Sequence, residues 1–331
     1  MNENNSNINW FPGHMAKAIR EIKEKINMAD LIIELRDARI PYSSSNPKVD
    51  EICQGKARII LLNKANIADK KITSLWIEYY KSKNILALDI DAISNYNIKN
   101  IFKYANIALK DVFLKREEKH IKSKTIKAII IGIPNCGKST LINTLAKRKA
   151  VQTGDKPGVT KNEVWIKINE DFYILDTPGI LWPKFEDQEV AKKLAFCSSI
   201  KDEVLHLDEI ARSLIEFLYK NYKNLLDERY NISSTDKTVD EIIHDIAIKR
   251  GCIAKSNLID YQRCYSIIIN DLRNNRIGDI SYERPGELVW IWRKIIWWAY
   301  RASMWSWWSR KRPTCRTISC CCMYNASFVK N

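Results

Sequence analysis

Three short stretches carry side chains whose types and spacing suit phosphate and base chemistry. Residues 132 to 140 read GIPNCGKST, which fits the pattern GxxxxGK[ST] from Gly132 to Ser139. Glycines in such a loop let backbone N–H groups approach phosphate oxygens, and a helix starting near Lys138 aims its positive end at them. Asn135, Cys136, Gly137, Lys138, Ser139 and Thr140 form the candidate cradle. Lys138 would neutralise the β- and γ-phosphates, as binder and catalytic group, and Ser139 would set a hydroxyl on Mg2+. A bare glycine turn would need neither the apolar AIIIG before the loop nor the helical TLINTLAK after it.

The second stretch, DTPG from Asp176 to Gly179, follows an apolar run. Asp176 is placed to hold Mg2+ through water, and the Gly179 N–H to meet a γ-phosphate. Between the two motifs lies GDKPGVTKN, where Thr160 is a candidate Mg2+ ligand in the triphosphate state; an ordinary surface loop is the alternative.

The third stretch, LLNKANIAD, comes well before the other two in the chain. Asn63 and Lys64 read as the base-recognising pair of a guanine-nucleotide pocket. In the usual NKxD form, the aspartate accepts from guanine N1–H and the exocyclic amine. Here Asn66 stands at that place. A neutral amide offers an acceptor and a donor where a carboxylate offers acceptors only. Guanine discrimination should weaken, and a base with a carbonyl at that edge should gain. Asp69 is the nearest substitute carboxylate, by a different loop path.

These residues need a scaffold that brings them together. LIIEL, ARIILLN, NILALDI and AIIIG read as short, fully buried strands. VWIKINEDFYILDTPG reads as two strands and a turn, the second strand ending at Asp176. Between the earlier strands lie the helical stretches DKKITSLWIEYYKSK and NIKNIFKYANIALKDVF. Met15, Ile19, Ile22 and Ile26 recur at helical spacing near the start, and KREEKHIKSKTIK reads as a linker or an exposed helix end. Alternation of this kind predicts an α/β doubly wound sheet over residues 1–183. From about residue 184 to 285 the pattern is helical throughout, in DQEVAKKLAFCSSIKDEVLHLDEIARSLIEFLYKNYKNLL, DEIIHDIAIKRGC and LIDYQRCYSIIINDLRN. A small all-helical domain is expected there.

Residues 286–331 differ in kind, with seven of the eleven tryptophans, four of the nine cysteines and no aspartate. The readings are an added tail, a membrane-surface segment, or translation out of frame after a nucleotide error. The last is favoured, and no function is assigned to the segment. It carries eight Lys or Arg against Glu287 alone, so +7 of the net +15 resides there and +8 (15 − 7) in the preceding chain. That remainder is moderately basic, compatible with RNA but not proof of it.

A chain of 331 residues with 46% hydrophobic content can bury one sizeable core or two. Cys53, Cys136, Cys197, Cys252 and Cys264 are scattered without a CxxC pair, which makes a zinc site a weak reading. The start MNENNSNINW has no apolar signal core, so a cytoplasmic, reduced setting is expected. No uninterrupted apolar run reaches membrane-spanning length.

Together, WFPGHMAKA, ADLIIELRDARIP, LLNKAN, GIPNCGKSTLIN, KPGVT, DTPGIL and ISYERP resemble the circularly permuted GTPases, and most closely the ribosome biogenesis GTPase A family. The likeness spans about residues 8 to 285. It implies a P-loop GTPase domain with permuted element order followed by a helical RNA-binding domain. It further implies a monomeric enzyme that binds GTP and GDP with Mg2+ and acts late in large-subunit assembly. The partners would be the large-subunit precursor and its rRNA, with neither DNA nor membrane. In this order DTPGIL runs directly into the helical domain, so nucleotide state is expected to set that domain's orientation and its ribosome affinity.

After DTPG comes Ile180, where many GTPases carry the glutamine that orients the attacking water. Isoleucine cannot do this, and the resemblance points to His14, at the WFPGH loop-to-helix junction, as the catalytic substitute. Resemblance to potassium-stimulated relatives makes the Asn135 side chain a candidate K+ ligand; a loop-shaping asparagine is the alternative. Lys192, Lys193, Lys201, Arg212, Lys249 and Arg250 are available for RNA, although solvated helix faces carry such charges routinely. Arg36 and Arg39 lie either near the catalytic side or in surface pairs. Two competing readings remain: an RNA-docking assembly factor with a degenerate pocket and little hydrolysis, and a general P-loop ATPase in which NKAN is accidental.

Overall fold

A computed structural model of the chain describes residues 24–45, 53, 55–121, 123–151, 165–177, 188–200, 206–254 and 258–286. Several expectations lie outside these residues: His14, Met15, Ile19, Ile22, Thr160, Gly179, Ile180, Lys201 and the tail beyond Gly286. The chain divides into two compact units, residues 1–285 and 286–331.

Six strands form one sheet in the first unit: β1 (Leu31–Asp37), β2 (Ala57–Asn63), β3 (Leu86–Asp89), β4 (Ile126–Ile131), β5 (Trp165–Lys167) and β6 (Phe172–Leu175). Their spatial order is β3-β2-β1-β4-β6-β5. Only β5 runs antiparallel, paired with β6; the other neighbours are parallel. All seven residues of β1 are buried, as a central parallel strand covered on both faces requires. The strand therefore buries Glu34 and Arg36 too, and it does so by pairing them: Arg36 Nε donates to Glu34 Oε1 at 2.8 Å.

Helices cover the sheet. α1 (Lys70–Ser82) begins at Asp69, whose Oδ1 accepts from the Lys71 and Ile72 amides, satisfying donors that a helix start leaves open. Its Ile72, Trp76 and Tyr80 recur every four residues and are all buried, the stripe that one packed helix face needs. NIKNIFKYANIALKDVF, a single helical stretch in the sequence, forms two helices, α2 (Asn100–Ala108) and α3 (Lys110–Glu118). They meet at Leu109, which is fully buried with φ −98° and ψ 7°. α3 buries none of its side chains, so KREE is the exposed helix end. α4 (Lys138–Ala146) follows β4 across the phosphate loop.

Beyond β6 the described residues form the helices α5 (Gln188–Phe196), α6 (Leu207–Asn221), α7 (Lys223–Tyr230), α8 (Val239–Lys249) and α9 (Tyr261–Arg273), with one isolated bridge between Ile253 and Ile259. α6 buries Ile210, Ala211, Leu214, Ile215 and Leu218 along one face. α8 starts with a reciprocal cap in which Thr238 and Glu241 each satisfy the other's backbone amide.

After α9 the chain returns to the sheet. The Tyr282 amide donates to the Arg39 carbonyl at 2.8 Å. Trp76 Nε1 donates to the Glu283 carbonyl at 2.9 Å. The Glu283 carboxylate accepts from the amides of Tyr42 and Ser43, at 2.8 and 3.1 Å, and from the Ser43 hydroxyl. ISYERP thus clasps the helical part onto the loop after β1.

Candidate nucleotide site

In an open parallel sheet, ligands sit beyond the carboxyl ends of the strands, where the strand order reverses. Here that place lies between β1 and β4. Asp37 ends β1, Asn63 ends β2, the phosphate loop follows β4, and Asp176 follows β6. Strand register sets Asp37 directly beside Asn63.

Asn63 is buried and both ends of its amide are used. Nδ2 donates to the Cys136 carbonyl at 2.8 Å, and Oδ1 accepts from the Ala92 amide at 3.0 Å. Thr144 Oγ1 of α4 donates to the Ala92 carbonyl at 2.8 Å. One asparagine therefore joins the base-reading strand to the phosphate loop and to the turn after β3. Gly137 makes this approach feasible: its φ is +100°, and a Cβ there would stand 2.3 Å from Asn63 Nδ2. At Gly132 a Cβ would meet the Leu35 carbonyl oxygen at 2.5 Å, so a side chain there would have to move β1, while one at Gly137 would displace the Asn63 amide.

Lys64 follows in a left-handed conformation, φ 63°. Its ammonium donates to the Asn135 carbonyl at 2.7 Å and lies 3.1 Å from Asp37 Oδ2. Asp37 is nearly inaccessible and also accepts Arg39 Nε at 2.9 Å and Nη2 at 2.8 Å. Burial alone would push its carboxyl upward, but the charges of Arg39 and Lys64 hold it well below the usual carboxylate range. Asn66 is exposed in the short turn Ala65–Ile67. Asp69, the candidate substitute, has its carboxylate committed to the start of α1 and, at 3.4 Å, to the Tyr222 hydroxyl. These contacts hold the Asp69 carboxylate at the start of α1.

Lys138 is buried, its ammonium donating to the Gly132 and Ile133 carbonyls at 3.0 and 2.8 Å. Cys136 is buried, and burial raises its thiol pKa. Ser139 and Thr140 are half-buried at the start of α4. Asn135 is exposed with φ 58°, and its Nδ2 donates to the Ser198 carbonyl at 2.7 Å. This bond ties the phosphate loop to the turn after α5.

Asp176 lies near Lys138. Burial raises its pKa, and the Lys138 charge offsets this in part. Its Oδ1 is buried without a hydrogen-bond partner. An orphaned carboxylate oxygen beside a phosphate loop fits a hydrated divalent cation. Next to it Thr177 Oγ1 donates to the Ile130 carbonyl at 2.5 Å.

Arg36 and Arg39 are not surface pairs: each is 5% exposed. Arg39 serves the pocket through Asp37, while Arg36 serves the α1 face, donating to Tyr80 Oη at 2.8 Å and stacking over its ring. Motif reading gives no role to Asp37, although it lies within RDARIP, nor to Ala92 or Ser198. The available signal for Asp37 was an acid between two arginines at a strand end; for Ala92 it was the polar DAIS following an apolar strand.

Fold and site together define a P-loop GTPase of circularly permuted element order, its base reader preceding its phosphate loop. Residues 127–250 match the family of 50S ribosome-binding GTPases. The ribosome biogenesis GTPase A of Bacillus cereus is 44% identical over 280 residues, covering 85% of this chain and 95% of that one. Its counterpart in Priestia megaterium is 43% identical over 281 residues, covering 85% and 98%. The crystal structure of GNP-bound YlqF from T. maritima superposes with a TM-score of 0.59 at 28% identity, covering 81% of this chain and 98% of that one. This chain belongs to the ribosome biogenesis GTPase A family. It is a GTP-binding, GTP-hydrolysing ribosome biogenesis factor.

Proposed function

We propose that the chain hydrolyses GTP as a checkpoint in assembly of the large ribosomal subunit, binding the precursor and its rRNA through residues 184–285. The observation carrying this reading is the convergence of Asn63, Lys138 and Asp176 at one end of the sheet. In this reading Asn63, Lys64 and Asn66 face the base, and Asn135 through Thr140 with Gly179 hold the phosphates. Lys138 also stabilises charge on the γ-phosphoryl group as it transfers. Ser139, Thr160 and Asp176 hold Mg2+, which when bound neutralises phosphate charge. Asn135 Oδ1 is the atom offered to K+, its amide nitrogen being committed to Ser198; faster turnover in KCl than in NaCl tests this.

His14 orients the attacking water, and the ribosome stimulates turnover. His14→Ala is expected to lose that stimulation by about 100-fold or more, the usual weight of a general base or water-positioning group; full ribosome-stimulated turnover in this variant would remove His14 from the reaction. The enzyme works as a cytoplasmic monomer. Nucleotide state sets the orientation of the helical part, because the segment after Asp176 leads into α5 and Asn135 is tied to the turn that follows it. Linkage requires the subunit to favour one nucleotide state in return. Equal affinity of GDP-loaded and GTP-analogue-loaded protein for large-subunit precursors would contradict this control.

A further inference from the structure

Resting on the nucleotide reading above, we propose that this pocket is not guanine-specific but takes 6-oxopurine nucleotides as a class, with xanthine bound at least as well as guanine. Guanine, hypoxanthine and xanthine are alike at N1, O6 and N7 and differ at C2, which bears an amine, a hydrogen or a carbonyl. Asn63 and the Ala92 amide, held together at 3.0 Å, form the part of the pocket that cannot tell these bases apart. Sorting falls to the residue facing N1 and C2. After the pinned pair Asn63–Lys64, that residue is the exposed Asn66.

The chemistry at this position follows from donor and acceptor counts. A carboxylate accepts from both guanine N1–H and the guanine amine. An amide accepts N1–H through Oδ1 but then presents Nδ2–H to the amine, donor against donor. Against xanthine the same amide is matched, accepting N1–H and donating to the C2 carbonyl. Hypoxanthine loses nothing at its C2 hydrogen.

A neighbouring carboxylate could rescue guanine preference, but four aspartates at the strand ends and adjoining loops have other partners. Asp37 is held by Arg39 and Lys64. Asp69 caps α1 and accepts from Tyr222. Asp91 accepts from the amides of Ile93 and Ser94, at 3.3 and 2.9 Å. Asp89 accepts from Tyr96 Oη at 3.2 Å and Asn97 Nδ2 at 3.3 Å. Asn66 acts without such help among the described residues.

The test is calorimetric titration of the full chain with GDP, IDP and XDP, each with Mg2+, before and after Asn66→Asp. Asn66 is exposed, so the substitution leaves the core untouched. The expected ranking in the parent chain is XDP at least equal to GDP, with IDP no weaker than GDP. In the variant GDP should tighten relative to XDP by about 10- to 100-fold, the weight of a charge-assisted hydrogen bond. Parent protein that favours GDP over XDP by tenfold or more, or a GDP-to-XDP ratio unmoved by Asn66→Asp, overturns the inference and leaves the GTPase reading standing. Absence of binding by all three nucleotides overturns both.

Discussion

Asp176 costs the nucleotide-free chain stability, because its carboxylate is half-buried and one oxygen has no hydrogen-bond partner. Its folded pKa is raised, chiefly by burial, so the unfolded chain gives up this proton first as pH rises. Stability from this residue is therefore fullest in acid and falls as pH climbs through the raised value. Asp176→Asn should raise the melting temperature of the nucleotide-free protein at neutral pH, with the gain vanishing in acid. The same variant should lose about 10- to 100-fold in Mg2+-dependent affinity for GTP, as groups that orient a metal's ligands do. A lower neutral melting temperature for this variant would contradict the assignment. Asp37 has the opposite sign. Its folded pKa is depressed by Arg39 and Lys64, so its contribution is complete above the ordinary carboxylate range and is lost only as pH falls well below it. Asp37→Asn leaves the buried Arg39 without its ion partner and should cost about 3–5 kcal/mol, read from the urea midpoint. Weaker nucleotide binding should accompany it, since Lys64 loses one of its two anchors.

At the scale of elements, the clasp from Ile280 to Glu283 joins parts of the chain that are remote in sequence. Glu283 is 2% exposed and satisfies two backbone amides of the loop after β1. Glu283→Gln keeps the shape but replaces an acceptor oxygen with a donor, leaving an amide facing amides. The expected cost is about 1–3 kcal/mol, with faster amide exchange at Tyr42 and Ser43. Unchanged exchange at those two amides would show that the clasp is not what orders the loop. Most elements were legible beforehand because their cues are local. Short apolar runs marked β1, β2 and β4, and helical spacing marked α1, α6 and α9. The break at Leu109 was not legible, since a buried leucine fits either one helix or a corner between two. The phosphate loop and Asn63–Lys64 were legible for the same local reason. Asp37, Ala92, Ser198 and Glu283 were not, because each acts on a partner set by the fold, such as Ser43 for Glu283 across 240 positions of sequence. ISYERP was visible as a motif, while what it grips required coordinates.

At the scale of the whole molecule, the permuted order accounts for how these parts depend on one another. The base reader and the loop gripped by Glu283 both precede the phosphate loop, and the helical part follows Asp176. Two later segments contact the sheet end: Asn135 meets Ser198 of the turn after α5, and Tyr282 after α9 meets Arg39. Nucleotide at the sheet end should therefore stabilise α5 to α9 as well as the sheet. GDP with Mg2+ is expected to slow amide exchange in α6 and α9, far from any phosphate, and exchange slowed only around Gly132 to Thr140 would count against that coupling.

The convergence of Asn63, Lys138 and Asp176 on a single nucleotide is tested most directly by calorimetry with a non-hydrolysable GTP analogue and Mg2+. One site per chain is expected, with affinity reduced by about 100-fold or more in Lys138→Ala, from which the charged donor to the phosphates has been removed. Binding of the same strength in Lys138→Ala, or no binding in the parent chain, would contradict the account.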